Sequence, residues 1–244
     1  SARTVFAANK AVAHRGAFKK NGLPENSIAS LKEAIRLGCT GSEFDVRMSA
    51  DDSLLINHDP HYNKWDIEKT SYQELAAKKL SNGETLPTLR QYLLAGLEGN
   101  TQTRLVVEIK PSATKERGKQ IAEKTVALIR GLKAEAMVVY ISFDYDILKK
   151  VLELNPKAST QYLNGDVPPD GLKADGISGA DYNLSVFKKN PHWIDSARQL
   201  NLILNAWTVN TEEDMKWLLE RGFDFITTNE PELLLAITKK TAVQ

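Results

Sequence analysis

Residues 14–59 include side chains that can do chemistry: two histidines, Arg15 and several carboxylates. Each histidine stands beside a charged residue, His14 beside Arg15 and His58 beside Asp59. Histidine changes its charge near neutral pH and can move protons, and the guanidinium group of arginine can bind two phosphate oxygens. Such a cluster predicts a catalytic site rather than a packing feature.

Two carboxylates share one face of a predicted strand over residues 41–48. Successive side chains of a strand point to opposite faces, so Glu43 and Asp45 lie on one face and Phe44 lies on the other. Two negative charges on one face repel each other unless a cation lies between them, and oxygen ligands suit a hard divalent cation. The pair therefore predicts a cation site, and it fits Mg²⁺ and Ca²⁺ equally.

A third carboxylate reaches a strand end in residues 105–110. The apolar run there delivers Glu108 and Lys110 to one side of the strand, just before Pro111 ends it. Lys110 can act as the ion-pair partner of Glu108, or it can bind phosphate as a point charge beside Arg15. The sequence leaves both roles open.

The bulk composition excludes several kinds of partner and site. With 42% hydrophobic and 26% charged residues, the chain of 244 residues can build a full core. A net charge of +1 gives no overall attraction to nucleic acid or to an anionic membrane, so we expect no nucleic-acid partner. The single cysteine, Cys39, excludes an intramolecular disulfide and a cysteine-based zinc site. No run approaches the roughly 20 apolar residues of a membrane helix, so we expect no stable membrane insertion.

Predicted strands and helices alternate along the chain. The eight strands cover residues 11–13, 41–48, 105–110, 137–141, 158–163, 175–178, 202–207 and 223–227. This alternation is typical of an α/β protein with a (β/α)₈ TIM barrel, and we predict one barrel domain over residues 1–244. An open doubly wound sheet is the structural alternative, but the glycine fingerprint of dinucleotide-binding folds and the phosphate-loop sequence are both absent.

A small insertion is predicted after the second strand, within about residues 47–104. After a turn, a second short strand at residues 54–57 would present His58 beside the barrel mouth. Beyond it the sequence predicts only two modest helices, around residues 72–77 and 89–97. We expect this region to cover the mouth without a core of its own.

In such a barrel, catalytic side chains come from the carboxyl ends of the strands and from the loops that follow them. The residues at such positions are His14, Glu43, Asp45, Glu108, Lys110, Ser142 and Trp207. Some residues also allow simpler roles. Trp207 could belong to the core, as a tryptophan near a strand end usually does, and Glu25 or Asn26 can cap the helix that follows. His61 and His192 have neither a strand end nor acidic neighbours, and we expect both to be surface or packing residues.

The chain resembles the glycerophosphodiester phosphodiesterases, and the likeness runs nearly end to end. The matching segments occur in the family's order at residues 12–16, 24–27, 43–46, 58–59, 87–89, 107–110, 142–143 and 206–210. The family fold is a TIM barrel with a small insertion, which agrees with the element pattern. There are three departures: Asn229 in place of the family's common aspartate, a first loop lengthened at residues 19–23, and a weak match in the fifth and sixth strands. We expect none of them to touch the proposed metal ligands or histidines, so they concern which substrate fits rather than the type of reaction.

The resemblance implies a role for each candidate residue. One divalent cation, Mg²⁺ or Ca²⁺, would be held by three carboxylates: Glu43, Asp45 and Glu108. Glu25 would lie near that site. His14 and His58 would be the general acid and base, although the resemblance does not tell which is which. Arg15 and Lys110 would contact the phosphate of the substrate. Trp207 would contact its glycerol.

The implied function is metal-dependent hydrolysis of glycerophosphodiesters to sn-glycerol 3-phosphate and an alcohol. In the mechanism proposed for the family, the 2-hydroxyl of glycerol attacks first and water then opens a cyclic phosphate. Two alternatives stay open: a phospholipase D-like or other lipid-headgroup phosphodiesterase on the same barrel, and a catalytically silent phosphodiester-binding module. The partner is a small molecule, and the headgroup alcohol and the oligomeric state are undetermined. A start at Ser1 rather than Met slightly favours a periplasmic or secreted protein over a cytoplasmic one.

Overall fold

The computed structural model describes residues 4–243, with side chains from residue 4 to residue 239. The strands are β1 Ala11–Ala13, β2 Gly41–Met48, β3 Leu54–Ile56, β4 His61–Tyr62, β5 Trp65–Asp66, β6 Arg104–Ile109, β7 Val138–Ser142, β8 Ser159–Tyr162, β9 Gly179–Asn183, β10 Ile203–Trp207 and β11 Phe225–Thr228. The α-helices are α1 Ile28–Leu37, α2 Tyr72–Ala76, α3 Leu89–Leu97, α4 Lys115–Gly131, α5 Tyr145–Leu154, α6 Pro169–Ala174, α7 Leu184–Lys189, α8 His192–Gln199, α9 Glu212–Glu220 and α10 Pro231–Val243. Short 3₁₀ helices occupy Ile67–Lys69 and Glu135–Met137. None of the helices in the described range is long and apolar enough to span a bilayer.

Eight of the strands form a closed parallel barrel with helices between them. Around the ring the order is β1, β2, β6, β7, β8, β9, β10 and β11. β1 pairs in parallel with both β2 and β11, which closes the ring. The predicted (β/α)₈ TIM barrel is therefore confirmed. Because the barrel strands run in parallel, their carboxyl ends meet at one mouth, where the site of such a barrel is built.

The sixth barrel strand is β9, so the strand predicted at residues 175–178 is wrong. Asp175 instead ends helix α6, and Gly176 follows in the left-handed conformation with a φ of 76°. The sequence pattern misses β9 because this strand carries Asp181 and Asn183 where a barrel strand usually carries aliphatic residues. The correction brings a carboxylic acid into the barrel.

Two apolar clusters hold the barrel together. A small cluster is made by five aliphatic side chains of the ring: Val12, Val106, Val139, Ile141 and Leu163. A larger cluster joins the strands to the helices and contains Phe44, which lies on the face of β2 opposite to Glu43 and Asp45. The alternation predicted for β2 is thus confirmed, and it is what turns the two carboxylates toward the inside of the ring.

Alanine at Phe44 is expected to lower the free energy of unfolding by about 3–5 kcal/mol. The ring is fully buried and packs on Tyr92 of α3, with 4.5 Å between the two ring centroids. Denaturant titration followed by circular dichroism measures the change. The matched control is Leu94→Ala on the same helix, because Leu94 is 48% exposed and its loss should cost less than about 1 kcal/mol. Equal losses in the two variants would contradict this account of the core.

The insertion after β2 has a small core, contrary to the prediction. β3 returns antiparallel to β2, as the predicted hairpin requires. The core consists of four buried side chains, Leu55, Ile67, Leu75 and Leu86, with Tyr62, Trp65 and Tyr72 packed against them. These apolar residues come from several short segments, so no single segment shows a core pattern. Helix α3 packs on α1 and belongs to the outer layer of the barrel, so the insertion spans residues 49–88 of the predicted range.

Candidate active site

The carboxyl ends of the barrel strands surround a pocket of about 110 Å³. Its walls are formed by His14, Arg15, Glu43, His58, Glu108, Lys110, Ile141, Phe143, Leu163, Asp181, Trp207, Thr208 and Thr227. The first six of these and Trp207 are residues that the sequence analysis singled out, and the fold brings them together from four barrel strands, β1, β2, β6 and β10, and from the insertion. His61 and His192 are not in these walls, and both are exposed. Ser142 has a structural role, since its hydroxyl donates to the backbone oxygen of Ile109 at 2.7 Å.

Three buried carboxylates lie together at one side of the pocket. In Glu43, Asp45 and Glu108, one oxygen from each carboxylate lies within 4.8 Å of the others. The contact follows from the strand register, because Asp45 on β2 is the direct neighbour of Glu108 on β6. Glu43 Oε2 and Asp45 Oδ1 are buried without a hydrogen-bond partner among the described residues. Unpartnered buried oxygens of this kind fit a hard divalent cation, which takes oxygen ligands.

When all three are ionised, the carboxylates of this cluster carry more negative charge than Lys110 can neutralise. Lys110 Nζ lies 2.7 Å from Glu108 Oε1 and 3.7 Å from Asp45 Oδ1, so one ammonium group faces three carboxylates. Burial, followed by the charges of Asp45 and Glu108, raises the pKa of Glu43 well above its usual value. Burial and the charge of Asp45 likewise raise the pKa of Glu108 to about 7, against the effect of Lys110. Bound divalent cations would relieve this repulsion.

Asp45 stays ionised because it has two partners. Burial opposes its ionisation, but the charge of Lys110 and a hydrogen bond from Asn26 lower its pKa to about 2. Asn26 Nδ2 donates to Asp45 Oδ2 at 2.9 Å, and Asn26 Oδ1 accepts from the Asp45 backbone nitrogen at 3.3 Å. Asn26 therefore orients a carboxylate rather than capping α1. The capping role falls to Ser27, whose hydroxyl accepts from the Ser30 nitrogen at 3.0 Å.

Two residues in the loop that connects β1 to α1 adopt the left-handed backbone conformation. Arg15 has a φ of 59° and Asn26 a φ of 58°, and the Asn26 nitrogen donates to the Arg15 carbonyl at 2.9 Å. In the same loop, the Arg15 backbone nitrogen donates to Glu43 Oε1 at 2.9 Å. Left-handed conformations are uncommon outside glycine and concentrate at functional sites. The loop thus fixes the carboxylate cluster from its amino-terminal side.

Glu25, which the resemblance places near the cation site, is not one of the three clustered carboxylates. Its carboxylate accepts from Arg15 Nη1 at 2.9 Å, and its side chain is 44% exposed. Arg15 lines the pocket, and its Nε atom is buried without a partner among the described residues. Glu25 therefore orients the arginine, which keeps donor capacity for an anion in the pocket.

The two histidines face different environments. His14 Nδ1 lies 2.8 Å from Asn229 Oδ1, so the expectation that the departure at Asn229 leaves the histidines untouched is wrong. Burial together with the neighbouring Arg15 lowers the pKa of His14 to about 4. Since an amide oxygen accepts only, Nδ1 carries the proton of the neutral ring, and Nε2 is free to accept one. His58 Nδ1 lies 2.7 Å from Asp59 Oδ1, and its backbone oxygen accepts from Arg47 at 2.7 Å.

Asn229→Asp is expected to raise the pKa of His14, because a carboxylate beside Nδ1 favours the imidazolium form. The acidic limb of the pH profile of kcat/KM should then move to higher pH. Asn229→Ala is the matched control: it removes a hydrogen bond that raises the pKa of His14, so its acidic limb should not move up. Profiles recorded from pH 4 to pH 8 on both variants make the comparison. An unchanged limb in the aspartate variant would refute the role of this contact.

Apolar side chains form another part of the pocket wall. The rings of Phe143 and Trp207 meet edge to face with 5.6 Å between their centroids, and Lys110 Nζ lies 5.5 Å from the Phe143 centroid. Trp207 Nε1 donates to the backbone oxygen of Asp181 at 2.8 Å, which fixes the indole. Trp207 thus lines the pocket rather than filling the core. Phe143 lies in a segment that matches the family, but the sequence assigned it no role.

Asp181 is the residue of the pocket that sequence reasoning could not find, because the strand that carries it was misplaced. Its side chain is 1% exposed and lines the pocket, and its Oδ1 atom has no partner among the described residues. Burial, followed by the charge of Glu108, raises the pKa of Asp181 well above its usual value. The pocket thus contains a buried acid apart from the carboxylate cluster.

A parallel barrel whose mouth combines proton-transfer groups with buried carboxylates and cationic side chains has the architecture of a TIM-barrel enzyme acting on an anionic substrate. Comparison with known proteins makes this class specific. The chain belongs to the Glycerophosphoryl diester phosphodiesterase family, whose model matches residues 14–233. It is thus a glycerophosphodiester phosphodiesterase, and the family resemblance read from its motifs is confirmed.

Individual relatives match along almost their whole length. A glycerophosphodiester phosphodiesterase of Caldanaerobacter subterraneus is 29% identical, over 94% of this chain and 97% of the relative. The crystal structure of a glycerophosphodiester phosphodiesterase from Parabacteroides distasonis has a TM-score of 0.93 at 38% identity, over 98% of this chain and 100% of the relative. A phosphodiesterase of Oleispira antarctica in complex with the product sn-glycerol-3-phosphate shares the fold, with a TM-score of 0.82 at 21% identity, over 95% and 97% of the two chains.

Proposed function

We propose that the protein hydrolyses glycerophosphodiesters to sn-glycerol 3-phosphate and an alcohol, with the help of one divalent cation. One observation carries the proposal: two of the three clustered carboxylates, two cationic side chains and two histidines line a single small pocket. A phosphodiester anion resists attack, so its charge must be neutralised while protons move on both sides of the phosphorus. The names of the relatives supply the substrate class.

The carboxylate cluster would hold the cation through Glu43, Asp45 and Glu108. When bound, the cation would neutralise the negative charge that builds on the phosphoryl oxygens. Arg15 and Lys110 would bind the same phosphate, the arginine through its free donors and the lysine as a point charge. Lys110 can do both jobs that the sequence left open, because its ammonium group contacts Glu108 and also lines the pocket.

His14 and His58 would divide the proton transfers. His14, neutral at pH 7, takes the proton of the glycerol 2-hydroxyl as that oxygen attacks phosphorus. His58, oriented by its contact with Asp59, gives a proton to the departing alcohol. In the second half, His58 takes a proton from the water that opens the cyclic phosphate, and His14 returns its proton to the 2-oxygen. Each histidine ends in its starting state.

The experiment is release of sn-glycerol 3-phosphate from glycerophosphocholine, glycerophosphoethanolamine and glycerophosphoglycerol. Each substrate is tested with enzyme treated with EDTA and with enzyme given Mg²⁺ or Ca²⁺ in excess. We expect release only with a cation, and the ranking of the three substrates gives the headgroup preference. No release from any substrate by folded, cation-supplied protein would refute the proposal, and binding without turnover would identify a silent binding module.

A lipid-headgroup activity has less support. The large hydrophobic side chains that the described residues expose are Val5, Leu94 and Leu233, and none of them lines the pocket. An enzyme that acts on lipid at a membrane surface needs an apolar contact area near its site. Including lysophosphatidylcholine micelles in the substrate panel tests this alternative, and cleavage of that lipid in preference to glycerophosphocholine would favour it.

A further inference from the structure

Asp181 has no role in the proposed chemistry, although it is the most buried acid in the pocket wall. Its side chain is 1% exposed, and Oδ1 has no hydrogen-bond partner among the described residues. Leaving a buried polar oxygen unpaired is costly, so such an atom in a native pocket indicates a ligand that completes its hydrogen bonds.

The neighbouring strands do not supply that partner. Asn205, which is directly opposite Asp181 in the register of β10 and β9, donates to Gln161 at 3.3 Å. The same Asn205 side chain accepts from the hydroxyl of Thr227 at 3.0 Å. These three polar side chains therefore bond one another across the barrel. Asp181 therefore keeps an unused acceptor in the pocket wall, apart from the carboxylate cluster.

The surroundings of Asp181 define the chemistry of the group it would bind. The adjacent walls are the aliphatic side chains of Ile141 and Leu163 and the indole of Trp207. The register places the Asp181 backbone two residues below that of Trp207, roughly 7 Å deeper along the strands, and the Trp207 indole reaches down to it through Nε1. The pocket of about 110 Å³ is small beside the roughly 300 Å³ or more of drug-sized sites, so it admits a compact group.

We propose that Asp181 determines specificity by hydrogen-bonding the terminal hydroxyl of the glycerol unit, on the carbon farthest from the phosphate. With the phosphate at Arg15 and Lys110, and the carbon chain against Trp207, that hydroxyl is the polar end left to reach the floor of the pocket. A neutral hydroxyl suits an apolar enclosure, whereas an amine headgroup would bring a charge that needs an ionised partner. The inference rests on the proposed function for the identity of its ligand.

The test compares two ligands that differ by one hydroxyl. These are sn-glycerol 3-phosphate and the matching enantiomer of 1,2-propanediol 1-phosphate, which keeps the hydroxyl next to the phosphate-bearing carbon and lacks the terminal one. Their dissociation constants are measured by calorimetry with the cation supplied. We expect the wild-type protein to bind sn-glycerol 3-phosphate about 10- to 100-fold more tightly than 1,2-propanediol 1-phosphate, because the ligand without the terminal hydroxyl leaves Asp181 unpaired.

Two variants separate recognition from structure. Asp181→Asn keeps the size and the hydrogen-bonding capacity of the side chain, and it should keep most of the discrimination. Asp181→Ala removes both oxygens, and the two affinities should then agree within about threefold, mainly through weaker binding of sn-glycerol 3-phosphate. A merely structural residue would change both affinities together and leave their ratio unchanged. Thermal unfolding checks that each variant is folded.

Three results would overturn the proposal: equal affinities in the wild type, full discrimination in the alanine variant, or a loss in the asparagine variant as large as in the alanine variant. The last result would assign Asp181 to a charged group. If the alanine variant does not fold, the wild-type ratio and the asparagine variant still decide. Because the readout is binding, a protein that discriminates without turnover would refute the proposed hydrolysis while supporting this assignment.

Discussion

Alanine at His14 or at His58 is expected to lower kcat by roughly 10²- to 10⁴-fold, which is the usual contribution of a positioned acid or base. The two side chains line the same pocket, and each has a fixed hydrogen-bond partner at Nδ1. Initial rates of sn-glycerol 3-phosphate release at saturating substrate and cation measure the effect. Because both groups act in each half of the reaction, the double variant should lose far less than the product of the two single losses.

The chain offers matched controls for these variants. His61 and His192 are exposed and lie outside the pocket, so His61→Ala and His192→Ala should retain activity within about twofold. A control variant that lost activity like the pocket variants would mean that the assay reports general damage. Retention of wild-type kcat by either pocket variant would remove that histidine from the mechanism.

The sequence was sufficient to predict the barrel and the carboxylate cluster, and the reason is physical. Parallel strands put their carboxyl ends at one mouth, so strand-end residues must converge once the strands are found. Glu43 and Asp45 are found by alternation within β2, and Glu108 follows from the next barrel strand. The contact between Asp45 and Glu108 needs only that β2 and β6 are neighbours in register.

Prediction from the sequence failed where a residue departs from the usual pattern of its strand or loop. β9 carries Asp181 at an interior position, so the apolar pattern that marks a barrel strand is missing there. Asn26 could be recognised only as a helix cap, because its contact with Asp45 depends on a left-handed backbone that no periodicity predicts. Functional residues are those expected to break local rules, so failures of pattern reading concentrate at the site.

Chelation of the cation is expected to abolish turnover, and the same cluster predicts how the cation affects stability. In the cation-free protein, the pKa of Glu108 is raised to about 7 from a reference value of 4.5, and that of Glu43 is raised in the same direction. A carboxyl group with a raised folded-state pKa stabilises the protein below pH 4.5 and loses that stabilisation as the pH rises through the folded-state value. The cation-free protein should therefore lose on the order of a few kcal/mol between about pH 5 and pH 8.

A cation binds the ionised carboxylates, so its stabilising effect should grow over the same pH range in which the cation-free protein weakens. Thermal unfolding with EDTA, and with Mg²⁺ or Ca²⁺ in excess, measured at intervals from pH 5 to pH 8, gives the increase in Tm at each pH. Asp45 does not contribute to this range, because its pKa is lowered to about 2. Glu108→Gln is the matched variant: it removes one of the titrating groups, so its cation-free Tm should depend less on pH, and its gain from the cation should be smaller. A cation effect that is constant across this range would mean that the three carboxylates are not the ligands.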